Sequence, residues 1–134
     1  MSEQIAKFRL SKFTITKSVV EIKEAEKISD NLNAEFNQSG AIEENKNIFK
    51  YTLESTIKDE TENLFINTIV VGIFEFDNNL PEEMKKSFFN VNAPAIIFPY
   101  VRAYVSSITG LSGIKPIILP TLNLSNRGGE NTNK

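Results

Sequence analysis

The amino-acid sequence predicts an α+β fold, a four-stranded antiparallel sheet followed by one long helix. Three observations carry this expectation. Between Phe8 and Phe76 four runs rich in β-branched and aromatic residues follow one another, separated by short charged stretches. After residue 95 the apolar spacing changes from two to the helical period. At 134 residues and 40% hydrophobic content, the chain can build one core and is too small for two.

The first strand covers Phe8 to Ile22. Phe8 and Leu10, then Phe13 and Ile15, alternate with a change of phase between the pairs, which predicts a bulge or sharp twist near Ser11 and Lys12. Charged residues 23–27 form a loop. The second strand, Ile28 to Ile42, carries Ile28, Leu32, Ala34, Phe36 and Ile42 on even positions among polar residues, as expected of a sheet edge. In the third, Asn47 to Lys58, Phe49, Tyr51, Leu53 and Ile57 face a core, while Lys50, Thr52, Glu54, Thr56 and Lys58 face water. A charged turn over residues 58–63 leads to Leu64–Phe76, apolar on both faces and therefore expected to be covered on both. Short connections between consecutive strands predict an antiparallel meander.

Pro81 opens a short polar helical turn, and residues 92–94 are expected to break it before a main helix from Ile96 to Thr109. Pro99 then falls in the first turn, where its missing N–H costs no hydrogen bond. Ile97, Val101, Tyr104, Val105 and Ile108 form a stripe along this helix, and Arg102 is its only charge. A helix so poorly solvated predicts a partner subunit, with Tyr100, Val101, Tyr104, Val105 and Ile108 as the interface. Residues 112–124 carry Pro116 and Pro120 around Ile117, Ile118 and Leu119, which makes an extended apolar segment. Residues 1–124 thus form a single domain, and the Asn- and Gly-rich residues 125–134 a disordered polar tail.

Composition removes several functions. No Cys and no His leave neither thiolate chemistry nor the commonest general base and metal ligand. The pairs Glu43–Glu44, Asp59–Glu60 and Glu82–Glu83 lie in charged, turn-like stretches, whereas a metal or an acid/base pair needs convergent carboxylates. No phosphate-binding glycine loop is present. An enzyme is not expected, nor a cofactor or a metal. Fifteen basic and 17 acidic residues are scattered without a stripe, so a nucleic-acid partner is not expected. Residues 1–10 lack the apolar core of a signal peptide, and the uncharged run 63–74 is too short to span a bilayer. A cytoplasmic protein without membrane insertion is the expectation.

The segment Ala95-Ile96-Ile97-Phe98-Pro99-Tyr100-Val101-Arg102, followed by an apolar helix, then Pro116 and Leu119-Pro120-Thr121-Leu122-Asn123-Leu124, resembles the signature of the SecB family. Gly72-Ile73-Phe74 near the end of the fourth strand is similar to that family's Gly-Ile-Phe. The resemblance implies a homotetramer, a dimer of dimers, that holds unfolded client proteins in apolar grooves without ATP and passes precursors to the motor ATPase SecA for export. The client-binding residues expected here are Phe36, Phe65 and Phe76 on the strands and Ile118 and Leu122 after the helix.

Two departures qualify what the resemblance implies. Where the family adds a second helix, this chain has Ser125–Gly129 and a short polar tail, so a groove wall made by that helix is expected to be missing or reduced. The acidic sheet-face patch that docks SecA would fall near Lys17, Glu21 and Asn67, of which only Glu21 is acidic. A lysine there repels a basic partner patch, which favours client holding over delivery to SecA. A dedicated chaperone of one labile partner, such as an antitoxin, is the alternative within the class. The alternative outside it is a small-molecule or structural binding module on the same fold.

Overall fold

In the computed structural model of the chain, residues 8–120 and the pair 132–133 are described. Four long strands, β1 (Phe8–Ile22), β2 (Leu32–Glu43), β3 (Ile48–Asp59) and β4 (Leu64–Phe76), precede a short helix α1 (Glu82–Ser87), a π-helical turn (Phe88–Asn92) and the long helix α2 (Ala93–Leu111). A two-residue strand β5 (Thr132–Asn133) lies beside β2 at Glu35 and Phe36. It falls in the stretch expected to be disordered; residues 125–131 and 134 lie outside the described residues.

All pairings are antiparallel, in the order β1-β4-β3-β2-β5. The four strands are therefore not a plain meander. β2, β3 and β4 follow each other as hairpins, but β1 pairs with β4 on the far side. Residues 23–31 must then cross the end of the sheet from one edge to the other, and this crossover forms part of the site described below. No strand's own hydrophobic pattern encodes its neighbour, so the crossover is invisible to periodicity.

The phase change in β1 has the expected cause and a second one. Register slips between Leu10 and Lys12 and again between Ile15 and Lys17. The extra residues are Ser11 and Thr16, whose hydroxyls donate to the carbonyls of Ile73 (3.1 Å) and Ile69 (3.3 Å) on β4. Each bulge resets which residues point inward, so Phe13 and Ile15, then Val20 and Ile22, all pack on the core.

Phe49, Tyr51, Leu53 and Ile57 of β3 and Leu64, Ile66, Val70, Phe74 and Phe76 of β4 form the inner face, buried against Ile97, Phe98, Val101 and Val105 of α2. The helix comes so close that a Cβ at Gly72 would stand 2.6 Å from Ile97 Cδ1, so a side chain there would force Ile97 to move. At one end of the sheet Phe8 stacks on Phe74 (4.6 Å between centroids) and Phe49 on Phe89 (4.1 Å). The outer face of β4, expected to be covered, is half-buried at Phe65, Ile69, Val71 and Ile73.

Two expectations about α2 are corrected. The helical path is not broken at residues 92–94, because a π-helical turn carries it through, and α2 starts at Ala93 with Pro94 in its first turn. Pro99 consequently lies inside the helix. Its missing N–H leaves the Ala95 carbonyl without its helical partner, but Ala95 and Pro99 are both exposed, so water can serve that carbonyl. The second correction concerns the stripe read as an interface. Val101 and Val105, 1% and 0% exposed, face the chain's own sheet and are core. Tyr104 is half-buried and donates to Ser18 Oγ on β1 at 2.7 Å, Ile108 packs beside the core, and Tyr100 is half-exposed with its ring 4.8 Å from Phe13. The exposed side of α2 carries the small residues Ala95, Ala103, Ser107 and Gly110 together with Pro99, Tyr100, Arg102 and Leu111.

Candidate functional site

The chain leaving α2 is shaped by three residues. Gly113 takes the left-handed conformation (φ 91°) that ends the helix, and Pro116 and Pro120 keep the following residues extended. Side chains then alternate: Ile117 and Leu119 are buried, and Ile118 between them is 68% exposed. Two polar contacts hold this strap to the helix. Thr109 Oγ1 accepts from the Ile117 amide at 2.9 Å and lies 2.8 Å from the Val105 carbonyl, to which it donates. Arg102 donates through Nε to the Leu119 carbonyl at 2.5 Å. The charge of Phe98-Pro99-Tyr100-Val101-Arg102 thus serves the strap.

The crossover segment faces the strap. Between them lies an open groove of about 640 Å³ lined by Ile28, Leu32, Leu64, Ile114, Ile117 and Ile118, with Glu26, Asp30 and Lys115 among its polar residues. Leu32 is 41% exposed at its mouth. The crossover is fastened to the β3–β4 turn. Lys23 N donates to the Asn63 carbonyl (2.9 Å), Glu60 N to the Asn31 carbonyl (3.1 Å), and Ser29 N to Asp59 Oδ2 (2.9 Å). Burial alone would raise the Asp59 pKa, but hydrogen bonds from Thr61, Ser29, Leu64 and Asn63 outweigh it and hold the carboxyl well below the usual range.

A second cavity of about 490 Å³ sits at the other end of β2, lined by Gly40, Ile42, Phe49, Tyr51, Phe89 and Pro94. The Tyr51 hydroxyl donates to Gln38 Oε1 at 2.5 Å, and its burial pushes the phenol pKa well up. Among the described residues no group of three or more acids is placed to hold a metal ion, and no helix is long and apolar enough to cross a membrane.

The sequence-predicted client residues separate into four environments. Ile118 is in the groove. Phe36 is 1% exposed, with its ring edge-on to Phe98 at 5.7 Å, and Phe76 is packed against Phe89 with the Lys85 ammonium 5.2 Å above its ring. Both are core, because they alternate onto the inner face that α2 and its preceding turn cover. Phe65 lies on the opposite, outer face, across from Glu21. Leu122 lies outside the described residues. Sequence reading missed Leu32 and Ile28 as groove residues, although both stood in the even-position set of the second strand. Their role depends on the crossover.

The docking positions do share one surface. Glu21 and Lys17 are exposed on β1 opposite Phe65 and Ile69, so they stand on the outer sheet face. Asn67 is buried there, with Nδ2 donating to Glu54 Oε2 and Thr56 Oγ1, both at 2.9 Å. Its amide nitrogen is occupied within its own sheet, while Oδ1 is buried without a hydrogen-bond partner among the described residues.

Residues 9–126 match the family described as preprotein translocase subunit SecB. The chain belongs to the SecB family. Over 74 residues it is 36% identical to a protein-export protein SecB of Roseobacter denitrificans, which takes in 54% of this chain and 44% of that one. An uncharacterized protein of Methanocaldococcus jannaschii is 37% identical over 62 residues, 46% of this chain and 39% of its own. The chain thus matches less than half the length of these relatives. Among solved structures, a SecB-like chaperone of Mycobacterium tuberculosis in complex with a peptide of an antitoxin superposes with a TM-score of 0.73 at 14% identity, covering 87% of this chain and 88% of that one. At that identity the likeness establishes a SecB-like fold. SecB proteins are chaperones rather than enzymes.

Proposed function

We propose that the chain is an ATP-independent holdase that binds unfolded polypeptides in the groove between the crossover segment and the strap. The observation that carries this reading is the pairing of Ile118 and Leu32, two large apolar side chains kept 68% and 41% exposed over an apolar floor. Burying one such side chain is worth about 1.5–3 kcal/mol, while association costs on the order of 4–15 kcal/mol before any surplus appears. One groove of this size therefore holds a chain weakly, and several act together at high effective concentration.

That arithmetic makes assembly part of the proposal, as a homotetramer built as a dimer of dimers. The small residues on the exposed side of α2 let a second helix approach closely, so Ala103→Arg should dissociate the assembly in light scattering. Val105→Asp would instead unfold the subunit. Precursors for Sec-dependent export in the cytoplasm are the clients that membership in the family favours. The test is whether the purified protein, without nucleotide, suppresses aggregation of several unrelated denatured proteins. No effect on any of them would exclude a general holdase.

A second reading, a dedicated chaperone of one labile partner, draws on the outer sheet face. Lys17 and the occupied Asn67 leave Glu21 as the one acid among the three docking positions. The Mycobacterium tuberculosis relative of this fold is bound to an antitoxin peptide. Tight, salt-sensitive binding to SecA would exclude this reading; indifference to SecA together with selective binding of one partner would establish it.

A further inference from the structure

The crossover segment forms one wall of the groove yet buries little of itself. Its 3-10 turn, Ala25–Lys27, contributes no buried side chain, and Ile28 is half-buried. Asp59, the last residue of β3, is buried beside it at 3% exposure, and its two carboxylate oxygens have separate partners. Oδ1 accepts from the amides of Asn63 (2.8 Å) in the β3–β4 turn and Leu64 (2.9 Å) at the start of β4. Oδ2 accepts from the amide of Ser29 at 2.9 Å and adjoins the Thr61 hydroxyl. That hydroxyl also lies 2.9 Å from the Lys27 carbonyl, and its one proton serves either acceptor at a time.

Capping a turn requires only the Oδ1 bonds. One Oδ2 bond reaches the crossover, 30 residues away in sequence, at Ser29, which itself lines the groove between Ile28 and Asp30. We propose that Asp59 is the positioning residue of the client groove, its carboxylate setting the crossover wall at the distance from the strap that an extended chain requires, without touching the client. This rests on the holdase reading. A negative charge suits the task because bonds from amides to an ionised carboxylate are about twice as strong as neutral ones.

The absence of cysteine allows a clean test. The Glu60 amide donates to the Asn31 carbonyl at 3.1 Å, one step beyond the paired Leu32 and Asp59, so Asn31→Cys with Glu60→Cys places a disulfide between crossover and turn that does not involve Asp59. The probe is a fluorescein-labelled, reduced and alkylated small protein that cannot refold, and the readout is its dissociation constant by anisotropy. Asp59→Asn should weaken binding roughly ten- to a hundredfold, and Thr61→Val by less. In the Asp59→Asn background, oxidising the cysteine pair should restore affinity and reducing it should remove the gain. A role in stability alone would lower the thermal midpoint without this redox-dependent recovery. Folded Asp59→Asn that binds like wild type, or a loss that the disulfide does not restore, overturns the proposal. If Asp59→Asn does not fold, Ser29→Pro with and without the disulfide decides in the same way, because it removes the amide that Oδ2 accepts from and leaves the two Oδ1 bonds in place. Wild type that binds while the variants are indifferent overturns this inference alone; wild type that does not bind the probe overturns the holdase reading with it.

Discussion

The two walls of the groove are held by different physics. The strap after α2 is packed: Ile117 and Leu119 enter the core, and Thr109 and Arg102 fix the backbone between them. The crossover is hung from polar bonds to the β3–β4 turn, with Ile28 as its apolar contact to the core and no buried side chain in its 3-10 turn. Packing is non-directional and tolerates small shifts, whereas a carboxylate accepting four bonds sets position sharply and fails when one acceptor is lost. A groove with one packed wall and one hung wall therefore keeps its width only while the bonds to Asp59 hold.

The difference can be broken most severely on the packed side. Leu119→Ala should cost about 2–5 kcal/mol in urea unfolding, since it removes a buried side chain and detaches the strap. Arg102→Ala removes the donor to the Leu119 carbonyl and should cost about 1 kcal/mol, visible as faster amide exchange at the strap with the sheet unchanged. Ile118→Ser should leave stability within about 0.5 kcal/mol, because the side chain is exposed, while weakening client binding. The smallest effect concerns pH. The folded pKa of Asp59 is depressed, so its contribution is fully present above the unfolded value of about 3.9 and is lost only as pH falls through the folded value. Exchange protection at Ser29, corrected for intrinsic rate, should therefore be the same at pH 5 and pH 8 and decline below about pH 4.

Much of the sheet was legible because strands write their faces into alternate residues. β4 begins and ends where the pattern placed it, and the bulge at Ser11 shows as a phase change between Leu10 and Phe13. The bulge at Thr16 left no such mark, because Thr16, Lys17 and Ser18 are polar on both faces. Helix α2 was read as starting three residues late because proline was taken as a terminus, when exposure of Ala95 and Pro99 lets Pro99 sit inside, and as ending two residues early. Phe36 and Phe76 looked unpartnered within their own strands and proved to be core, since their neighbours come from α2 and the turn before it. The groove itself was half legible. The prolines around Ile118 announce an extended apolar strap, but the opposing wall depends on the β1–β4 pairing and on one aspartate in a charged turn that resembles any solvated loop.

Clients are expected to occupy the groove between strap and crossover. The most direct measurement is binding of an unfolded, fluorescein-labelled protein to the folded double variant Leu32→Asp, Ile118→Asp, beside wild type. Both residues are exposed, so circular dichroism and the thermal midpoint should stay close to wild type while binding falls at least tenfold, about 1.4 kcal/mol. Binding equal to that of wild type would place the clients elsewhere on the molecule and contradict the account.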